Sequence, residues 1–207
     1  MGYNVVAKSL KLLILPDEDM VGVIEQNIGN ARFVWNNILS RYLELYCLFQ
    51  AHNCPLRPNI SNFNAILKML KVEFPFLREG ESTSQQQVLI DLIKAFSRFF
   101  KNISGHPNFK SKKNAHPSFR IQKNGNNIKI TNKRIKLAKL GYIPYQTSPE
   151  YRKLLKTCTI NNVDCQKRKW KILCNCKTYI CVVSKLKHTG EVIGIDFRIK
   201  KSGHTLK

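Results

Sequence analysis

One carboxylate stands out. Asp196 lies in Glu191–Lys207, EVIGIDFRIKKSGHTLK, among Val192, Ile193, Ile195 and Phe197. An apolar strand context makes a bare charge costly unless it is paired or binds a metal. Two readings follow. Asp196 is a Mg²⁺ ligand at the head of a nuclease-type sheet, or it caps a turn and pairs with Arg198 or Lys200. The first needs more carboxylates, because metal-assisted phosphodiester chemistry clamps both the attacking and the leaving oxygen. After position 100 the other acidic residues are Glu150, Asp164 and Glu191, none in a comparable strand. A carboxylate cluster cannot be assembled from this half alone.

The sulfur chemistry is weaker. Seven cysteines include Cys174 and Cys176, one residue apart with Cys181 nearby. They would share a strand face. The chain has no CxxC pair, so buried thiols in a reducing cytosol are favoured over a zinc module or a disulfide framework. The five histidines show no ligand spacing and read as loop residues.

Charge points to a polyanion. The net charge is +22, and it is unevenly placed. Residues 1–100 carry 10 basic and 9 acidic groups; residues 101–207 carry 25 and 4. Such an excess repels itself unless an anion is bound. Nucleic acid is the expected partner. A membrane surface is not, because a basic amphipathic helix is missing. Within the basic half, Phe109 and Phe119 are interleaved with Lys110, Lys112, Lys113 and Arg120, a pattern that holds a backbone by charge and stacks a base. Alternatively this is a solvated loop with both rings in the core. Lys167, Arg168 and Lys169 form a second cluster, or a basic hairpin turn.

The elements that must position these residues divide in the same place. Residues 3–15 predict a strand stopped by Pro16, followed by Asp17 as a helix N-cap. Val21 to Phe49 has helical periodicity, weakened by Gly22 and Gly29. Ser61 is expected to cap a second helix, and a residue of Ser82–Ser84 a third. The three helices suit a small bundle. Past Pro107 the texture is strand: Ser118–Gln122, Asn127–Thr131, Arg134–Leu137, Tyr142–Tyr145, Lys156–Ile160, Lys169–Cys174 and Tyr179–Ser184. Gly125 and its asparagines mark a turn between the first two. An α+β protein with a small barrel or sandwich is expected.

NARFVWNNIL, EFPFL, SQQQVLIDLIKAFSRFFK, GHPNFKSKKNAHPSFRIQ, IKLAKLGYIPY and GIDFRIK, in that order, resemble the TnpB/OrfB family of transposon-encoded proteins. The resemblance implies RNA-guided DNA endonucleases with guide RNA and target DNA as partners and Mg²⁺ as cofactor. It implies a wedge β-barrel from residues 1–15 and 106–187, an inserted helical recognition domain over 16–105, and the start of an RNase H/RuvC-like nuclease domain at 188–207. Asp196 would be the first of three catalytic carboxylates. The other two and the zinc-ribbon cysteines would fall outside this chain, which reads as truncated and unable to cleave alone. Gln86 falls where the family reads a DNA motif beside the target, with Ser61 and Lys123 as further matches. Arg198 replaces a glycine of the family motif. A cytoplasmic, nucleoid-associated protein is implied. The alternatives are one part of a split nuclease and a basic structural RNA-binding protein.

Overall fold

The computed structural model describes residues 3–52, 56–113, 117–168 and 171–183. The element order is β1 (Tyr3–Ile14), α1 (Glu18–Ala51), α2 (Ile60–Glu73), α3 (Ser82–Phe100), β2 (Ser118–Gln122), β3 (Lys129–Ile130), β4 (Arg134–Leu137), β5 (Gly141–Gln146), α4 (Pro149–Thr157), β6 (Thr159–Arg168) and β7 (Lys171–Val183). This is an α+β arrangement of helices on an antiparallel sheet.

Local chemistry sets the helix starts. The Asp17 side chain accepts from the Met20 amide, and Glu18 and Asp19 follow where negative charge suits the helix dipole. The two glycines of α1 neither delay nor interrupt it. The other two starts differ from the sequence expectation by a few residues. Asn59, not Ser61, caps α2 by accepting from Asn62, leaving Ser61 exposed inside the first turn. Glu81 caps α3 through the Thr83 amide and hydroxyl. In both cases an acceptor lay just upstream of the serine.

Seven strands pair in the order β2-β6-β7-β1-β5-β4-β3, every pair antiparallel. β1 is the hub, paired with β7 from Tyr3 to Ile14 and with β5 at Leu13 and Ile14. The expected turn at Gly125 forms, with Gly125 at φ 54° and the Asn127 side chain bonded to Asn124 and Gln122. It does not make a hairpin. The strands it joins are the two edges of the sheet. Laid flat, seven strands would separate those edges by about 29 Å. Six residues link Gln122 to Lys129, a reach of at most about 25 Å even when extended. The sheet is therefore curled, and no ladder joins β2 to β3 among the described residues.

Three expected strands are corrected. Lys156 belongs to α4, whose start is set by Ser148 accepting from the Tyr151 amide with Pro149 in the first turn. The stretches Lys169–Cys174 and Tyr179–Ser184 become one strand, β7, over the part of them that is described.

The inner face carries Leu10, Leu12, Ile14, Ile121, Val163, Cys165, Cys174 and Cys176, all at 2% exposure or less. Ile24, Ile38, Leu89, Leu92 and Phe96 of the helices belong to the same continuous core. Arg120 of β2 bonds Asp91 of α3, and Lys167 of β6 pairs with Glu25 of α1. Those ion pairs tie the helices to the sheet.

Candidate nucleic-acid interface

The basic stretch after α3 is clamped to α1. The Trp35 indole N–H donates to the Asn108 carbonyl at 3.0 Å. The Asn36 amide donates to the Lys110 carbonyl at 3.0 Å and accepts from the Lys110 N–H at 2.8 Å. The backbone at Lys110 is thus held on both sides, as a strand partner would hold it. The Lys110 ammonium lies 3.9 Å from the Trp35 ring centroid, a cation–π contact. Burial there pulls its pKa below the usual lysine value, which Asp91 opposes and Arg120 reinforces. Lys112 and Lys113 are exposed and form no ion pair among the described residues, and the Lys113 amide donates to the Ser111 hydroxyl at 3.1 Å.

The two phenylalanines of the interleaved pattern divide. Phe119 is core at 3% exposure; Phe109 is 58% exposed beside the lysines. Only Phe109 is placed to stack on a ligand. Trp35 and Asn36 were the missed members of this region. Trp35 reads as one more aromatic of a core stripe, and the signal that could have marked it is the polar Asn36-Asn37 pair directly after it.

Of the other predicted contacts, Arg120 and Lys167 are already engaged, and Lys123 and Arg168 are exposed. Arg120 bonds Asp164 and lies 3.2 Å from Asp91. Burial disfavours its charge, but the hydrogen bond to Asp164 and the charges of Asp164 and Asp91 outweigh it and raise its pKa. Asp164 also faces Lys177 at 3.4 Å. Lys123 is exposed, its amide donating to the Asn161 carbonyl at 2.8 Å. Arg168 is exposed, whereas Lys167 pairs with Glu25. Lys169 and Asp196 lie outside the described residues.

On α3, three consecutive glutamines have different fates. Gln85 is 1% exposed and donates to the Leu77 carbonyl at 2.6 Å. Gln87 is buried and donates to Asp91 at 3.0 Å. Gln86 alone of the three faces solvent. The buried polar cluster beneath fixes this turn: the Asn27 carbonyl oxygen accepts from the Glu81 amide at 2.8 Å, and its N–H₂ donates to Val23. Gly80 packs closely there: an added Cβ would lie 2.4 Å from the Asn30 side-chain nitrogen, which would have to move.

The thiols of β6 and β7 at Cys165, Cys174 and Cys176 are buried packing groups, whereas Cys47 is exposed. Cys165 and Cys174 face each other across β6 and β7, sulfurs 2.8 Å apart. Burial, then the neighbouring sulfurs, pushes the Cys174 and Cys176 thiols well up. Among the described residues no group of three or more His, Cys, Asp or Glu side chains could hold a metal, and no helix is long and apolar enough to cross a membrane.

No family model matches the chain. It is 28% identical over 173 residues to an Escherichia coli K12 protein named Putative RNA-guided DNA endonuclease InsQ. The match takes in 84% of this chain and 40% of that protein, so the chain spans well under half the length of the curated relative.

Proposed function

We propose that this chain is a TnpB-like protein that binds a guide RNA and a target DNA. The observation that carries the reading is the clamped segment around Lys110. It presents Phe109, Lys112 and Lys113 outward from a half of the chain that carries 25 basic and 4 acidic residues. The distant similarity to a protein named as an RNA-guided DNA endonuclease supports it. In this reading the curled sheet is the wedge barrel (1–15 and 106–187), and residues 16–105 form the recognition domain. Residues 188–207 begin a RuvC-like nuclease domain. Gln86 reads a DNA base edge, for which a glutamine amide can be bidentate to adenine, and Ser61 and Lys123 are further candidate contacts. Lys112, Lys113 and Arg168 hold phosphates. Arg120 and Lys167, ion-paired as they are, serve the interface by holding β2 and β6 against α3 and α1.

Cleavage is not proposed for these 207 residues on their own. Mg²⁺ needs several oxygens held at once. Of the described carboxylates that the second half contributes, Asp164 is occupied by Arg120 and Lys177, and Glu150 faces Lys8. They do not fit a metal site, and no step is assigned to one.

The test is to express the chain from its native locus and sequence the RNA that co-purifies. A discrete RNA encoded at the locus, with duplex binding that depends on its complementarity, is expected. Heterogeneous RNA with guide-independent binding would replace the proposal with the structural RNA-binding reading. Mg²⁺-dependent plasmid cleavage lost in Asp196→Ala would show that the chain assembles a working nuclease.

A further inference from the structure

We propose that Arg32, Lys110, Ser111 and Ser118 form a pocket for one phosphodiester group of a nucleic-acid backbone. A cavity of about 270 Å³ opens between the middle of α1 and the chain at 110–111 and 117–118. Its α1 wall carries Ile28 and Ala31, and no carboxylate lines it. Arg32 is half-buried and forms no ion pair among the described residues. Among the half-buried arginines of the described residues it alone lacks an acidic partner. Arg41 holds Glu73, Arg120 holds Asp91 and Asp164, and Lys167 holds Glu25. A partly desolvated guanidinium with no anion is costly, and a bound phosphate would answer it.

The other groups fit the same ligand. Both backbone polar groups of Lys110 are fixed by Asn36, so the lysine is pre-positioned at the rim. Its ammonium is already partly stripped of water against Trp35, so pairing with an anion costs it less further desolvation. The Ser111 oxygen accepts from the Lys113 amide, which leaves its hydroxyl hydrogen for a ligand. The charged and hydroxyl groups are thus all donors, and a phosphodiester oxygen is acceptor only. Phe109, exposed next to Lys110, offers a face for the adjoining base or sugar. The site lies at the junction of α1 with the sheet, so a bound backbone would bridge the two regions.

This pocket rests on the nucleic-acid reading above, and the experiment separates the two. Affinity for an RNA hairpin and for a DNA duplex of matched length is measured across a salt series. The proteins are wild type, Arg32→Ala, Arg32→Lys, Ser118→Ala and Lys68→Ala, the last removing an exposed charge on α2. Arg32→Ala should weaken binding about ten-fold and flatten the slope of log K against log salt by about 0.7–0.9, the share of one phosphate. Arg32→Lys should lose nearly as much, because an ammonium cannot reproduce the planar fork. Ser118→Ala should lose less, and Lys68→Ala should match wild type. The probe that loses affinity identifies the backbone as RNA or DNA. Wild-type binding in Arg32→Lys, or equal losses in Arg32→Ala and Lys68→Ala, would reduce the pocket to diffuse charge and overturn it. A wild type that binds neither probe would overturn the functional reading itself. Should Arg32→Ala fail to fold by circular dichroism, Arg32→Lys and Ser118→Ala decide.

Discussion

The helical region and the sheet region spend their polar residues differently. In the helices, several acids and amides cap, pair or face inward. Asp17, Asn59 and Glu81 start helices, Asn27 and Gln85 bind backbone in the interior, and Glu73 pairs with Arg41. The sheet region has few acids, and the two described ones are engaged: Asp164 by Arg120 and Lys177, Glu150 by Lys8. Its remaining cations cannot be neutralised from within. The first hundred residues are nearly neutral overall, with 10 basic and 9 acidic groups, whereas the rest carries a large excess of cations. In the proposed reading, this difference puts nucleic-acid contacts on the sheet and its clamped lead-in segment, with Gln86 of α3 and Arg32 of α1 as the helical region's contributions.

The comparison breaks if the two regions are energetically separate. Phe96 of α3 is 1% exposed and lies 4.6 Å from Tyr42 and 5.6 Å from His106, ring to ring. Phe96→Ala should cost roughly 3–5 kcal/mol. Urea unfolding should remain one transition shared by helical and sheet signals. Helical loss with an intact sheet would show two cores. The next largest effect concerns the acids of the sheet. Asp164→Asn should cost about 1.5–3 kcal/mol, because it removes a charged acceptor from a partly buried arginine. Glu150→Gln should change stability by less than about 0.5 kcal/mol, since its pair with Lys8 is largely exposed. Equal losses in urea titrations of the two variants would remove the distinction drawn here.

The helical interior also carries a pH signature. The Tyr42 hydroxyl donates to the Leu56 carbonyl at 3.0 Å, and burial, then the nearby Tyr46, pushes its pKa up to about 12. An acid whose folded pKa is raised stabilises the fold below its unfolded value, near 10, and that stability is lost as pH climbs toward 12. Wild type should therefore lose on the order of 2 kcal/mol across that window relative to Tyr42→Phe. Parallel stability curves for the two proteins between pH 9 and 12 (bounds set by the roughly 10 of free tyrosine) would contradict the buried placement.

Legibility followed locality. β1, the Asp17 cap and the three long helices rest on short-range patterns, and all were readable. So was α4, from Ser148-Pro149-Glu150 followed by Tyr151, Leu154 and Leu155, although the strand expectation at Lys156–Ile160 overlaps its last turn. β6 was hidden for a physical reason. A bulge between Ile160 and Asn162 shifts the alternation, so Ile160, Val163 and Cys165 share a face without sharing a parity. The strand order, with chain neighbours β2 and β3 at opposite edges, depends on pairings that no local pattern encodes. At the interface, the exposure of Lys112 and Lys113 was legible from composition. The capture of Arg120 was not, since its acids lie 29 and 44 positions away in sequence.

The central claim is that the charge of the sheet region is answered by nucleic acid. Its most direct test is the affinity of the purified chain for structured RNA and duplex DNA as a function of salt, with Lys112→Ala/Lys113→Ala beside wild type. Affinity should fall steeply as salt rises, with a slope of about 0.7–0.9 for each phosphate neutralised. The double variant should bind more weakly and with a shallower slope for every sequence tested. Binding that stays flat from low to physiological salt, or that is unchanged in the double variant, would contradict the account.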